Sequence, residues 1–253
     1  MNIIQSFYDH LAPEYDKLVS DWNLTTQEQA IILDRLFTQF GFDKSADILD
    51  CACGIGTQAI GLGALGYCVT ASDFSTEALM QAKERAQRKQ LQISFHIADF
   101  RALSEEFAHQ FDIVIAMDNA LPHMLTGEAL EDAVRSIMER VSQGGIFVAS
   151  IRDYDTLLQS KPSYSSPYIH KTPQGQRVAF QTWHWEGENY RLIQYIIEDG
   201  VHLQTSRFVC EYRATRRDEL TNLLMANGCS GVTWLFPEET GFYQPIVIAK
   251  KRK

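Results

Sequence analysis

The segment Ile48-Leu49-Asp50-Cys51-Ala52-Cys53-Gly54-Ile55-Gly56-Thr57 joins a short apolar run to a turn of small residues and then to a helical pattern. Glycine at 54 and 56 lets the backbone approach a ligand closely, because no Cβ stands in the way. Unpaired N–H groups at the start of the helix then face a polar or anionic group. Asp73 follows a second apolar run, 17 residues past Gly56. A carboxylate in that position can accept hydrogen bonds from both ribose hydroxyls of an adenosine. Ala98-Asp99-Phe100 sets an acid and an aromatic ring where an adenine could be hydrogen-bonded and stacked. Asp118-Asn119 closes a fourth apolar run and Arg152 a fifth. A guanidinium at the carboxyl end of a strand can grip a carboxylate with two parallel bonds.

Each of these residues has a plainer reading beside the chemical one. Gly54-x-Gly56-x-x-Ala59 also fits the dinucleotide-binding pattern, or a tight turn that holds no ligand. Arg152 either anchors a carboxylate or pairs with Asp153 or Asp155. His123 either accepts a proton from an amine or is a satisfied loop histidine, and Asp118 either belongs to the site or caps the next turn. Trp183 and Trp185 alternate with Thr182 and His184, so both indoles share one strand face, and packing explains them better than ligand contact.

The elements that must position these groups are legible from hydrophobic period. Residues 1–45 read as an amphipathic helical cap, with Leu33, Leu36, Phe37 and Phe40 on one helix face that begins after Thr25 or Thr26. From residue 46 to 151, strands near 48–51, 67–71, 93–97, 111–117 and 146–151 alternate with helices. Nearly continuous apolar strands separated by helices mean a parallel, doubly wound α/β sheet. Ser75 is placed to cap one of those helices. At residue 152 the rhythm breaks, and Pro162, Pro167 and Pro173 punctuate a loop-rich stretch. Three strand-like runs follow, at 178–185, 190–197 and 201–212, with Gly187-Glu188-Asn189 and Asp199-Gly200 as turns. Residues 152–212 therefore form a small antiparallel β insertion. Residues 213–253 return to the main fold with a helix capped by Thr215 and a closing antiparallel hairpin, 232–236 with 245–250.

The 253 residues include 32 acidic and 23 basic ones, a formal net charge of −9. A chain that grips a phosphate backbone needs a positive surface, so nucleic acid is not the expected partner. Five cysteines without a C-x-x-C pair suit neither a disulfide framework nor a zinc site. Neither a signal-peptide pattern nor a membrane-length apolar run is present. A cytoplasmic protein is the expectation, with no metal, and self-association stays open.

Taken together, Asp50 to Gly56, Asp73, Ala98-Asp99-Phe100 and the terminal hairpin resemble the motifs of class I S-adenosylmethionine-dependent methyltransferases. The resemblance implies a Rossmann-like, seven-stranded, mostly parallel sheet with an antiparallel C-terminal hairpin, and S-adenosylmethionine as cofactor. It assigns Asp50, Ala52, Gly54, Gly56, Asp73, Phe74, Asp99, Phe100, Met117 and Asn119 to the cofactor. Asp50-Cys-Ala-Cys-Gly54, Asp118-Asn119-Ala-Leu-Pro-His123 and Arg152-Asp-Tyr154-Asp155 are similar to the glycine and sarcosine N-methyltransferases, which share the alanine at 52. That similarity implies a small carboxylate-bearing amine as substrate and Arg152 as its anchor. Asn119, His123, Tyr212 and Tyr243 are expected beside it, with Tyr168 a weaker candidate. Ile151 and Asp153 depart from the family's usual neighbours of the arginine. Other readings of the same motifs are a small-molecule O- or N-methyltransferase of different specificity and a non-catalytic S-adenosylmethionine-binding protein.

Overall fold

The computed structural model describes residues 3–173 and 175–253. Its N-terminal segment comprises α1 (Ile3–Leu11), a 3-10 stretch over Ala12–Leu18 and α2 (Trp22–Gln39). The sheet-forming elements that follow are β1 (Asp47–Asp50), α3 (Thr57–Ala64), β2 (Cys68–Asp73), α4 (Thr76–Arg88), β3 (Ser94–Ile97), β4 (Phe111–Ala116), α5 (Gly127–Arg140) and β5 (Val141–Ser150). Next come α6 (Tyr154–Ser160) and four strands, β6 (Tyr168–Thr172), β7 (Gly175–Glu186), β8 (Asn189–Asp199) and β9 (Leu203–Arg213). The chain closes with α7 (Arg217–Ala226), β10 (Cys229–Leu235), α8 (Pro237–Thr240) and β11 (Ile246–Lys251).

The main sheet has seven strands in the order β10-β11-β5-β4-β1-β2-β3. β11 runs antiparallel to both β5 and β10 and lies between them. It is thus the one strand opposed to the rest, and with β10 it forms the expected antiparallel pair at the sheet edge. Strands β1, β4, β5 and β11 alternate between two fully packed faces. Leu49, Val114, Phe147 and Val247 point toward α5 and the second sheet. Ile48, Ile113, Val148 and Ile248 point toward α2 and α3. Burial on both faces explains the nearly unbroken apolar runs. Gly61 lets α2 and α3 meet closely, since a Cβ there would sit 2.6 Å from the Thr26 carbonyl oxygen. The strand order reverses between the parallel neighbours β1 and β4, which opens a crevice at their carboxyl ends.

The second sheet is antiparallel, in the order β6-β7-β8-β9. Its inner face carries Trp183, Trp185, Tyr190, Leu192, Cys210 and Tyr212 toward the main core. Three sequence expectations need correction. Helix α2 begins at Trp22, not after Thr25, because the Asp21 side chain accepts the Leu24 N–H at 3.1 Å. Helix α7 is not capped by Thr215, whose hydroxyl is buried without a partner. Its first N–H, on Arg217, is accepted instead by Asp155 of α6 at 3.2 Å. The proline-rich stretch also holds order: α6 precedes Pro162, and edge strand β6 fits between Pro167 and Pro173. Among the described residues no helix is long and apolar enough to cross a membrane.

Candidate active site

A cleft of about 750 Å³ opens at the carboxyl ends of β1, β2 and β4. Ala52, Gly54, Asp73, Phe74, Asp99, Phe100 and Met117 line it, whereas Asp50, Gly56 and Asn119 do not. Gly54 and Gly56 both take positive φ, 52° and 89°, which only glycine adopts at little cost. A Cβ on Gly54 would meet no protein atom within 4 Å, so its backbone faces open space. Asp73 locks this turn by accepting the Gly54 N–H at 2.8 Å and the Ser75 N–H at 2.9 Å. Each carboxylate oxygen keeps a second acceptor site. Ser75 caps α4, its hydroxyl accepting the Ala78 N–H at 3.1 Å. Asp99 sits at the mouth, where its carboxylate is already held by the Arg101 Nε–H at 2.9 and 3.0 Å.

The N-terminal segment forms the opposite wall with Tyr8 and Tyr15. Polar ties hold it there. The Gln5 amide donates to the Phe74 carbonyl at 3.2 Å and the Ser75 hydroxyl to Asp9 at 2.6 Å. Arg85 pairs with Asp16 at 3.0 Å, and Lys17 with Glu198 of the second sheet at 2.6 Å.

Burial pushes the Asp73 carboxyl up to about 6 and the Asp50 carboxyl up to about 8. A carboxyl titrates near 3.9 in an unfolded chain. Between about 4 and 8 the native state therefore holds a proton at Asp50 that the unfolded state releases, and stability falls as pH rises. Replacing Asp50 by Asn, which mimics the protonated form, is expected to flatten the decline in Tm between pH 5 and 8. A wild-type curve as flat as that of Asp50→Asn would mean Asp50 is ionised throughout. All five cysteines are free, and burial also raises the Cys51 and Cys53 thiols.

Beyond the cleft, the half-buried Arg152 side chain lies between the β5 end and the inner face of the second sheet. Its Nη1–H donates to the Tyr190 hydroxyl at 2.7 Å and its Nη2–H to the Gln181 carbonyl oxygen at 3.0 Å. The guanidinium lies over the rings of Trp183 and Tyr212, 4.9 and 5.4 Å from their centroids. Among the described residues no carboxylate pairs with it. Asp153 and Asp155, the partners expected of a structural ion pair, are both engaged by Arg217. That reading of Arg152 is overturned.

Asn119 follows the cleft residue Asp118. Both take left-handed φ, 56° and 69°, a conformation that Asp and Asn adopt more readily than other non-glycine residues. The Asn119 side-chain carbonyl accepts the Arg152 backbone N–H at 3.0 Å and the Tyr154 hydroxyl at 3.1 Å. Its Nδ2 is left buried without a partner. Asp118 lines the cleft and accepts from Gln58 at 2.9 Å and from the Tyr243 hydroxyl at 2.7 Å.

His123 is a satisfied histidine. The Tyr8 hydroxyl meets its Nε2 at 2.7 Å, and its Nδ1 lies 3.3 Å from the Glu211 carbonyl. Burial is the main reason that its pKa falls to about 3. The imidazole is therefore expected to stay neutral from pH 5 to 8, giving ring-nitrogen NMR signals that do not titrate. An inflection near pH 6.5 would restore it as a candidate base. Tyr212 lies between His123 and Tyr190, with ring centroids at 4.2 and 5.5 Å. Tyr243 is exposed and reaches Asp118 rather than Arg152. Tyr168 is exposed on β6, lines no part of the cleft, and stacks on His170. Tyr8, Tyr15, Gln181 and Tyr190 were not expected from sequence, whereas Tyr154 belongs to the Arg152-Asp-Tyr154-Asp155 motif and Trp183 was read as packing. The shared face of Trp183 and Trp185 was the one available signal for Gln181 and Tyr190.

Residues 48–145 match the sequence profile of a family described as a methyltransferase domain. A glycine/sarcosine N-methyltransferase of Parasynechococcus marenigrum is 26% identical over 155 residues, 61% of this chain and 54% of that protein. A second, from Aphanothece halophytica, is 22% identical over 195 residues, 77% of this chain and 66% of that protein. The chain thus spans between about half and two thirds of the length of these relatives. Among solved structures, an S-adenosylmethionine-dependent methyltransferase from Clostridium acetobutylicum superposes with a TM-score of 0.75 at 18% identity, covering 97% of this chain and 99% of that one. The S-adenosylmethionine-bound amino pentose methyltransferase CalS10 from Micromonospora echinaspora gives 0.76 at 17% identity, covering 89% and 91%. At such identities the likeness is one of fold.

Proposed function

We propose that this chain, a class I S-adenosylmethionine-dependent methyltransferase, methylates the amine of a small carboxylate-bearing molecule, with glycine and sarcosine as reference acceptors. The cofactor fits the residues present. Asp73 has acceptor sites free for ribose hydroxyls, Gly54 leaves backbone open to a ligand, and Asp50 Oδ2 and Asn119 Nδ2 are buried without partners. Phe74, Phe100 and Met117 offer apolar surface for an adenine, and Asp73 and Asp118 offset a cationic ligand. When bound, the cofactor supplies a methyl group already activated on a sulfonium.

What remains for the protein is alignment and exclusion of water, worth on the order of 7–11 kcal/mol when geometry is right. Arg152 is the observation that carries the choice of acceptor. A half-buried arginine whose guanidinium meets neutral dipoles and ring faces keeps its full charge for an anion. Asn119, fixed by Arg152 and Tyr154, offers its unpartnered amide N–H groups between Arg152 and the cleft. Tyr8 and Tyr15 close the solvent side. His123, held neutral, does not take the acceptor's proton near pH 7, so the amine reaches the site unprotonated.

The test is transfer from radiolabelled S-adenosylmethionine to glycine, sarcosine, dimethylglycine, a neutral amino sugar and a phenol. Methylation of glycine or sarcosine in preference to the neutral acceptors is expected. Turnover confined to the amino sugar or the phenol would overturn the acceptor class, and cofactor binding without any turnover would point to a non-catalytic role.

A further inference from the structure

We propose that the paired amides of Gln181 and Gln194 set acceptor specificity by holding Arg152 aimed and electrically uncompensated, so that only an acceptor carboxylate completes its ion pair. The inference rests on Arg152 as the acceptor's anchor and extends it to two residues that no motif singles out. Gln181 and Gln194 are a cross-strand pair of β7 and β8, on the inner face of the second sheet. Gln194 is buried, and its Nε2 donates to the carbonyls of Phe180 at 3.1 Å and Tyr195 at 3.0 Å.

Those two contacts dictate everything downstream. Backbone carbonyls only accept, so the Gln194 NH₂ must face them and its Oε1 must face Gln181. Gln181 answers with its own NH₂, which donates to Gln194 Oε1 at 2.9 Å. Its Oε1 then points the other way, where it accepts from Arg152 Nη2 at 3.0 Å and Trp183 Nε1 at 3.0 Å. Amide orientation is thus read from the network, not from the shape of the group. A flipped Gln181 would turn N–H groups against the guanidinium.

Chemical type matters as much as direction. A glutamate at 181 would offer the same acceptor oxygen and, with it, a full negative charge. Arg152 would then be paired within the protein, and an incoming carboxylate would meet a neutralised, acid-flanked site. With glutamine, two of the five guanidinium N–H donors are occupied, by Tyr190 and Gln181, and three stay available. Two parallel donors suffice for a bidentate carboxylate.

The experiment compares Gln181→Glu with Gln181→Met and Gln194→Leu, using Arg152→Met as reference. Acetate is the probe of the Arg152 guanidinium, followed through the Trp183 indole N–H resonance, which Trp183→Phe assigns. Melting curves and S-adenosylmethionine affinity are recorded for every variant. Gln181→Glu should weaken acetate binding at least tenfold, whereas Gln181→Met, which leaves the charge uncompensated, should weaken it only a few-fold. Gln194→Leu should raise the KM for glycine several-fold with kcat little changed. On methylamine, glycine without its carboxylate, Gln181→Glu should lose far less than on glycine. Equal losses in Gln181→Glu and Gln181→Met would assign Gln181 a merely structural role and overturn the proposal. Should Arg152→Met abolish acetate binding while Gln181→Glu leaves it intact, the device is refuted and the anchor stands. Acetate binding untouched by Arg152→Met would remove the anchor, and this inference with it.

Discussion

Asp73→Ala is expected to weaken S-adenosylmethionine binding by roughly ten- to 150-fold while the protein still melts cooperatively. The estimate takes the loss of hydrogen bonds to a charged acceptor as about 1.5–3 kcal/mol. Asp73 has two duties. Its oxygens already accept Gly54 N–H and Ser75 N–H, at 2.8 and 2.9 Å, so the glycine turn and the α4 start are pinned by the group assigned to the ribose. Removing it leaves those N–H groups without their acceptor, and Tm should fall as well. Alanine is the cleaner probe than asparagine, because an amide would set an N–H donor against one of the two backbone donors.

The same carboxyl predicts a pH dependence. Burial raises it to about 6, and its ionised form is the better acceptor for hydroxyls. Affinity should therefore drop as pH falls through about 6, and binding near that pH should release protons. Calorimetry in buffers of different ionisation enthalpy reads both effects. Unchanged cofactor affinity in a folded Asp73→Ala protein would take this residue out of the site.

The cleft was readable in the sequence because its parts are local. Asp50 to Thr57 is one strand, one turn and one helix start, so spacing alone puts the glycines, the buried acid and the free N–H groups together. Asp73 and Asp99 follow by the same logic at the ends of the next two strands. The surroundings of Arg152 are different. Period 2 says that Trp183 and Trp185 share a face, but not that this face turns inward. The pairing of Tyr190 with Tyr212 depends on the β8–β9 register, 22 residues apart in the chain. A one-residue slip between these strands would leave the two rings on opposite faces. Tyr8 meets His123 across 115 positions, a contact that no local pattern encodes. The α7 cap was misplaced for a related reason. Thr215 is a good cap by type, yet Asp155, brought over by α6 and Arg217, does the accepting.

Arg152→Lys is expected to lower kcat/KM on glycine or sarcosine roughly ten- to 150-fold, the loss of a charge-assisted bond of about 1.5–3 kcal/mol. Lysine keeps the charge but not the planar fork. Its ammonium cannot donate at once to Tyr190, to Gln181 and, with two parallel bonds, to a carboxylate. Cofactor affinity should barely move, because the glycine turn and Asp73 lie across the Asn119 junction from the guanidinium. Methylamine, which has no carboxylate, should be handled almost alike by wild type and variant. A purely structural arginine would behave otherwise, with losses shared by every acceptor and a marked fall in Tm. Arg217, which binds Asp153 and Asp155 and packs on Phe236, is where the structural ion pairs of this segment reside. Arg217→Met should therefore lower Tm and reduce turnover of glycine and methylamine in proportion. Arg152→Lys should separate the two acceptors. Steady-state kinetics on glycine and methylamine, with a melting curve for each protein, decide between the accounts. Equal loss on both acceptors in Arg152→Lys would sink the anchor, and with it the choice of a carboxylate-bearing amine over other small acceptors.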